Sequence, residues 1–190
     1  MSDPITRRAV ALGLGASALL PATAQAQDGG GYTEDQIVRE AEEFFGESAE
    51  GIANAVAHVF QDLGQPNGFI KGHEGSGAAF FGLRYGQGEM RLANLYDATQ
   101  VYWQGPTVGP DAGGNAAKVF TLIYNLAQPD DIFRRFPGVD GSAYFVGGVG
   151  VNYQRKDGIT LAPIRAGVGL RLGASIGYLR YSRSRRYFPF

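Results

Sequence analysis

The sequence predicts a mainly β protein, a small curved β-barrel of about eight antiparallel strands with an N-terminal helical segment packed at one side. Three observations carry this. From Gly141 to Ser182, glycines alternate with large apolar residues, the period of two that sends successive side chains to opposite faces of a strand. Turn signals such as Asp157-Gly158 punctuate the apolar runs. The 29 glycines are roughly twice the ordinary 7% usage and are spread through strand-like segments, so they belong to the architecture and not to a flexible linker.

Residues 1–26 read as an export signal. Arg7-Arg8 supplies a basic start, Ala9 to Leu20 an apolar core and Ala24-Gln25-Ala26 an A-x-A site, which places cleavage between Ala26 and Gln27. The apolar run stops at Pro21, short of the roughly 20 residues a membrane-spanning helix needs. The arginine pair permits a twin-arginine route as well as the Sec route. Residues 27–32 form a polar, disordered lead, and 33–190 one domain.

The helical segment covers 33–65. Thr33 and Gln36 form a capping box ahead of Ile37, Val38, Ala41, Phe44 and Phe45, and Gly46 ends that helix. Ser48 can cap a second, in which Ile52, Val56, Val59 and Leu63 make an apolar stripe. Glu40, Glu43, Glu50 and Asp62 then face water.

The barrel covers 66–190. Strands are expected near Phe69 to Lys71, Ala78 to Tyr85, Glu89 to Ala93, Gln100 to Gln104, Lys118 to Leu126, Ser142 to Arg155, Ile159 to Leu172 and Ala174 to Ser182. Gly86-Gln87-Gly88 and Lys156-Asp157-Gly158 read as hairpin turns, and Pro129 to Phe136 as one helical turn begun by Asp130 and Asp131. Gly141 to Arg155 would span about 50 Å if straight, against about 17–20 Å for an ordinary strand, so a bend at Gly147-Gly148 is predicted. Ile159 and Leu161 are out of phase with Ile164, Ala166, Val168, Leu170 and Leu172, which suggests a bulge at Pro163. The hydrophobic positions include Phe145, Val149, Val151, Ile164, Val168 and Leu170.

Composition narrows the chemistry. With no cysteine there is no disulfide, thiolate metal site or catalytic thiol, and a net charge of −1 predicts no nucleic-acid surface. Gly72-His73-Glu74-Gly75-Ser76-Gly77 offers a Ser, a His and a carboxylate, but it lacks the G-x-S-x-G order and the strand-to-helix turn of a nucleophile elbow. His58 and His73 show no metal-ligand spacing. Gly148-Val149-Gly150 and Gly167-Val168-Gly169 lie inside strand patterns, out of place for dinucleotide binding. No metal and no cofactor are expected. Arg165 and Arg171 flank Gly167 and Gly169, a side-chain-free patch open to a ligand, although solvated surface arginines give the same pattern. The tail interleaves Arg180, Arg183, Arg185 and Arg186 with Tyr181, Tyr187, Phe188 and Phe190, which suits an anionic membrane surface or a solvated terminus equally.

Val101-Tyr102-Trp103-Gln104-Gly105-Pro106, Gly113-Gly114-Asn115 and above all Arg135-Phe136-Pro137-Gly138-Val139-Asp140-Gly141-Ser142-Ala143-Tyr144-Phe145-Val146-Gly147-Gly148-Val149-Gly150-Val151-Asn152-Tyr153 resemble the EipA-type envelope-integrity family, as do Leu161 to Arg165 and Gly167 to Gly173. The resemblance implies a periplasmic protein with a small β-barrel and an N-terminal helical segment that supports the cell envelope, distantly similar to SYLF domains, some of which bind lipid. It implies no catalytic residue. The sequence is therefore read as a non-enzymatic periplasmic protein that binds lipid or another envelope component, with Tyr102, Trp103, Arg165 and Arg171 as candidate ligand residues. Two other classes stay open, an integral outer-membrane barrel and a periplasmic enzyme. Terminal Phe190 fits the former, but Pro189 interrupts a closing strand and several strands fall short of the 9–11 residues required.

Overall fold

The computed structural model describes residues 30–46, 51–78, 81–108, 115–139, 142–166 and 177–186. Residues 1–26, read from the sequence as an export signal, and Ser48, Glu50, Val168, Leu170, Arg171, Tyr187, Phe188 and Phe190 lie outside the described residues.

Helix α1 spans Glu34–Phe45 and opens with the predicted capping box. Gln36 N–H donates to Thr33 Oγ1 (3.3 Å), while Gln36 Oε1 accepts from Thr33 N–H (2.8 Å). Gly46, at φ 65°, ends it. Helix α2 spans Ile52–Leu63 and its N-cap is Gly51, without a side-chain cap, so the cap does not fall at Ser48. The reason is tertiary: a Cβ on Gly51 would sit 2.1 Å from the Gly147 carbonyl oxygen, so this helix start is where two backbones touch. Ile52, Val56 and Val59 are buried as the stripe predicts, and Leu63 packs beside them.

The strands are β1 Gly68–Ala78, β2 Phe81–Leu92, β3 Thr99–Val108, β4 Asn115–Tyr124, β5 Arg135–Pro137, β6 Tyr144–Val146, β7 Val149–Val151, β8 Gln154–Lys156, β9 Ile159–Ala166 and β10 Tyr178–Ser182. A 3₁₀ turn, Pro129–Ile132, precedes β5, with Asp130 and Asp131 in its first turn as expected. All pairings are antiparallel, in the order β5-β10-β3-β2-β1-β4-β9-β7-β6, and β8 also pairs β9. The sheet curls until its ends meet: Gly138 bridges Gln154, and Val139 N–H donates to the Tyr153 carbonyl at 2.8 Å.

Ten strands stand where eight were expected: Ser142 to Arg155 forms three strands instead of one, Arg135–Pro137 is a strand within the stretch expected as a helical turn, and β2 joins the two strands expected on either side of Gly86-Gln87-Gly88. Gly86-Gln87-Gly88 is not a turn; β2 runs straight through it, in register with β1 from Gly68↔Leu92 to Ala78↔Gly82. These glycines serve close approach: a Cβ on Gly86 would lie 2.1 Å from the Trp103 ring, and one on Gly88 would lie 2.8 Å from the Gly72 Cα. Gly147-Gly148 is a two-residue hairpin turn and not a bend, with φ 54° and 82° and Val146 paired to Val149. Across such a turn the face parity flips, so Tyr144 and Val146 join Val149 and Val151 in packing, while Phe145 is 40% exposed and not the core residue its alternation suggests. Pro163 makes no bulge, since β4 pairs β9 continuously through Thr121↔Pro163. The apparent phase slip arises because β9 is buried on both faces. Its proline falls opposite the interruption between β7 and β8, where no ladder donor is required. The Asp157-Gly158 hairpin is as predicted, at φ 50° and 82°.

Two apolar clusters result. Outside, Ile37, Ala41, Phe45, Ile52, Val56 and Val59 of the helices cover Phe69, Phe120, Leu122, Ala162 and Ile164, with Phe69 and Phe120 stacked at 5.2 Å. Inside, Ile70, Met90, Val101, Trp103, Val119, Ile123, Phe136, Leu161 and Leu179 fill the curl. Glu43 and Asp62 face water, and Glu40 pairs with Lys71 at 2.6 Å.

Candidate functional site

Strands β1, β2, β3 and β10 bring two adjacent rows together. The inner row is Glu74, Gly86, Trp103 and Tyr181, matched rung by rung by the register. Because Gly86 has no side chain, the Trp103 ring lies across it and its Nε1–H reaches Glu74 Oε2 at 3.1 Å. Arg165 of β9 donates from Nε to Glu74 Oε1 at 2.8 Å, Arg84 Nε lies 3.4 Å from the same oxygen, and Arg165 Nη1 donates to Asn152 Oδ1. Burial alone would raise the pKa of Glu74, but Arg165, Arg84 and the Trp103 and Arg165 hydrogen bonds outweigh it and hold the carboxyl below its ordinary value. Tyr181, buried beside Trp103, is shifted upward, mainly by that burial. Two guanidinium groups meet one carboxylate, and among the described residues Arg165 Nη2 is buried with no hydrogen-bond partner. Glu74 is thus held in its ionised form between two guanidinium groups and the Trp103 indole.

The outer row is His73, Gln87, Tyr102 and Ser182, with Gly75, Tyr85, Gln104 and Arg180 one rung along. Helices cover the neighbouring part of this face, and Phe44 packs edge-on to His73 at 5.5 Å. After β10 the chain is pinned by Arg183, which pairs with Asp130 at 2.5 Å, and then Arg185 Nη2 donates to Gln87 Oε1 at 2.6 Å. Between these borders lies a groove of about 470 Å³, lined by His73, Tyr85, Tyr102, Gln104, Arg185 and Arg186. Glu74 and Trp103 approach it from beneath. Gln104 is 1% exposed, and its Nε2 has no partner among the described residues.

The hydrolase reading fails on strand geometry. His73 and Glu74 are successive residues of β1, so one points outward to Phe44 and the other inward to Arg165. Of the candidate ligand residues, Trp103 and Arg165 meet on Glu74 in the interior, Tyr102 faces the outer groove, and Arg171 is outside the described residues. Arg165 does not stand on an open patch, being 6% exposed. Sequence reasoning missed Glu74 as its partner and Tyr85, Gln87 and Gln104 as neighbours of Tyr102. The period of two shows which residues share a face of one strand, but only the register shows which strands lie side by side.

These features define a class, a helix-backed small β-barrel with a packed interior and an external polar-aromatic groove. A crystal structure of a β-barrel-like, uncharacterised protein from Brucella abortus is 44% identical, with the match covering 85% of this chain and 99% of that one at a TM-score of 0.75. The family model described as Envelope integrity protein A matches residues 30–190, and the chain belongs to that family. Among curated proteins nothing matches. Membership bears out the resemblance read from the sequence, and the family's name points to a role in envelope integrity.

Proposed function

We propose that this is an exported, non-enzymatic periplasmic protein that supports envelope integrity by holding an envelope component in the groove over β1, β2 and β3. The observation that carries the reading is Gln104: an amide donor buried without a partner at the edge of a groove costs about 1–3 kcal/mol, which a ligand acceptor would recover. The polar residues best placed for chemistry support the non-enzymatic part, since Glu74 is bound by Arg84, Arg165 and Trp103 while His73 is turned to the other face. The barrel is also filled inside by packed side chains, the Glu74–Arg165 pair among them, and its outer apolar face is covered by helices, unlike the lipid-facing apolar band and polar lumen of an outer-membrane barrel.

The test is a native mass spectrum of the protein purified from the periplasm of its own cells. A species heavier than the polypeptide is expected, and its extra mass should vanish in an Arg185→Ala, Arg186→Ala double variant that also fails to restore detergent resistance to a strain lacking the protein. Bare polypeptide, with full rescue by the double variant, would overturn the reading and leave a purely structural role.

A further inference from the structure

Resting on the groove reading above, we infer that the ligand is an acidic saccharide, a sugar chain bearing carboxylate or phosphate. Tyr85 and Tyr102 stand on adjacent strands and adjacent rungs, so they present aromatic rings to one cleft. Aromatic faces pack against the C–H face of a sugar ring, and tyrosine adds a polar tip. Around them are flat hydrogen-bonding groups: the amides of Gln87 and Gln104, the former already oriented by Arg185. Planar amides and guanidinium forks suit vicinal hydroxyls and carboxylates, which offer two acceptors side by side. The buried Gln104 Nε2 supplies a donor that lacks an acceptor among the described residues, and a sugar hydroxyl or acid oxygen is one.

The charge selects an acid. Arg185 and Arg186 form one wall, and the carboxylate beneath, Glu74, is already met by Arg165 and Arg84. The volume, about 470 Å³, lies in the range of small-ligand pockets. A lipid tail is less well served. Beneath the groove the Trp103 ring covers Gly86 and Gly72, and Met90, Val101 and Leu179 pack in the interior behind it.

Trp103 is the chain's single tryptophan and stands between Tyr102 and Gln104 on β3, so its emission is followed as the titration signal. The mature protein is titrated with a galacturonic acid trisaccharide, with a neutral trisaccharide, and with vesicles of phosphatidylglycerol and phosphatidylcholine. Saturable binding of the oligouronate, at least tenfold tighter than the neutral sugar, is expected. The Arg185→Ala, Arg186→Ala variant, with an unchanged melting curve, should lose that preference, and Tyr102→Ala should weaken both sugars. Equal affinity for the two sugars, or no binding of either, overturns the acidic-saccharide inference. If vesicles alone bind, and lose binding in the same variants, the groove reading survives and the saccharide inference falls. If no probe binds and no extra mass accompanies the native protein, both fall.

Discussion

Two rows on the same strands, one residue apart in sequence, show opposite physics. The inner row of Glu74, Gly86, Trp103 and Tyr181 is sealed, and the bonds to Glu74 run across the barrel. The outer row of His73, Gln87, Tyr102 and its neighbour Gln104 is bordered by a helix and a pinned tail and, among the described residues, left open between them. What separates them is the pleat, which sends alternate side chains to opposite faces. The comparison teaches that the charged row, built on Glu74, is the less available of the two. The arginine that looked suited to a ligand, Arg165, is committed to holding the barrel together, and the weaker-looking outer row carries the binding argument.

The sharpest way to break the contrast is Glu74→Gln. It leaves Arg165 and Arg84 buried without their anion, and removing one partner of a buried ion pair costs about 3–5 kcal/mol. A lowered urea midpoint with an unchanged slope would show it. The same residue sets a pH dependence. Because the folded-state pKa of Glu74 is depressed, its contribution is fully present above the ordinary value of 4.5 and is lost as pH falls through the lower folded value. Wild-type stability should therefore fall on acidification below about pH 4.5, and the Glu74→Gln profile should lack that component. An identical acid limb in both proteins would remove Glu74 from the account.

Next in size is Gly86→Ala. The backbone tolerates alanine there, but the added methyl would meet three Trp103 ring atoms at 2.1–2.4 Å. The ring must shift from its place across the strand and lose Glu74, an overpacking effect of about 1–3 kcal/mol. A lower melting temperature together with a red-shifted tryptophan emission is expected; a shift in neither would mean that the ring is not seated on this glycine.

Smaller still is Phe145→Ala. Partly exposed on the face opposite the helix-side cluster, where it pairs with Gly150, it should change stability by no more than about 0.5 kcal/mol, whereas Val151→Ala, buried in that cluster, should cost clearly more. Equal losses from the two would restore the reading of one continuous strand bent at Gly147-Gly148.

Features whose cause is local were legible in the sequence. Thr33 with Gln36, Gly46, and Asp157-Gly158 each act on their own neighbours, and each does what its spacing implies. The glycines were harder because the same residue serves two causes. At Gly147-Gly148 the cause is positive φ, so the chain reverses; at Gly86 and Gly88 it is contact with Trp103 and Gly72 on other strands, so the chain runs straight. Nothing within a few residues distinguishes them. The candidate site suffered in the same way: Trp103 and Arg165 were found, but the carboxylate that joins them stands on a third strand, and Tyr102 could be paired with Tyr85 and Gln104 only once the β2–β3 register was known.

The smallest expected effect is also the most telling for function. Gln104→Met keeps the length of the side chain and removes an amide whose Nε2 is buried without a partner. An unsatisfied buried donor is a cost carried by the free protein, so replacing it by an apolar group of similar shape should leave stability unchanged or raise it by up to about 1 kcal/mol. If the amide is there for a ligand, the same change should weaken binding of the oligouronate severalfold and lower rescue of the envelope phenotype, so that stability and function move in opposite directions. That opposition is what distinguishes a binding residue from an architectural one: Glu74→Gln should lose stability first, Gln104→Met function first. A Gln104→Met protein that is clearly destabilised, with binding intact, would place this residue among the structural set with Glu74 and remove the main support for a ligand in the groove.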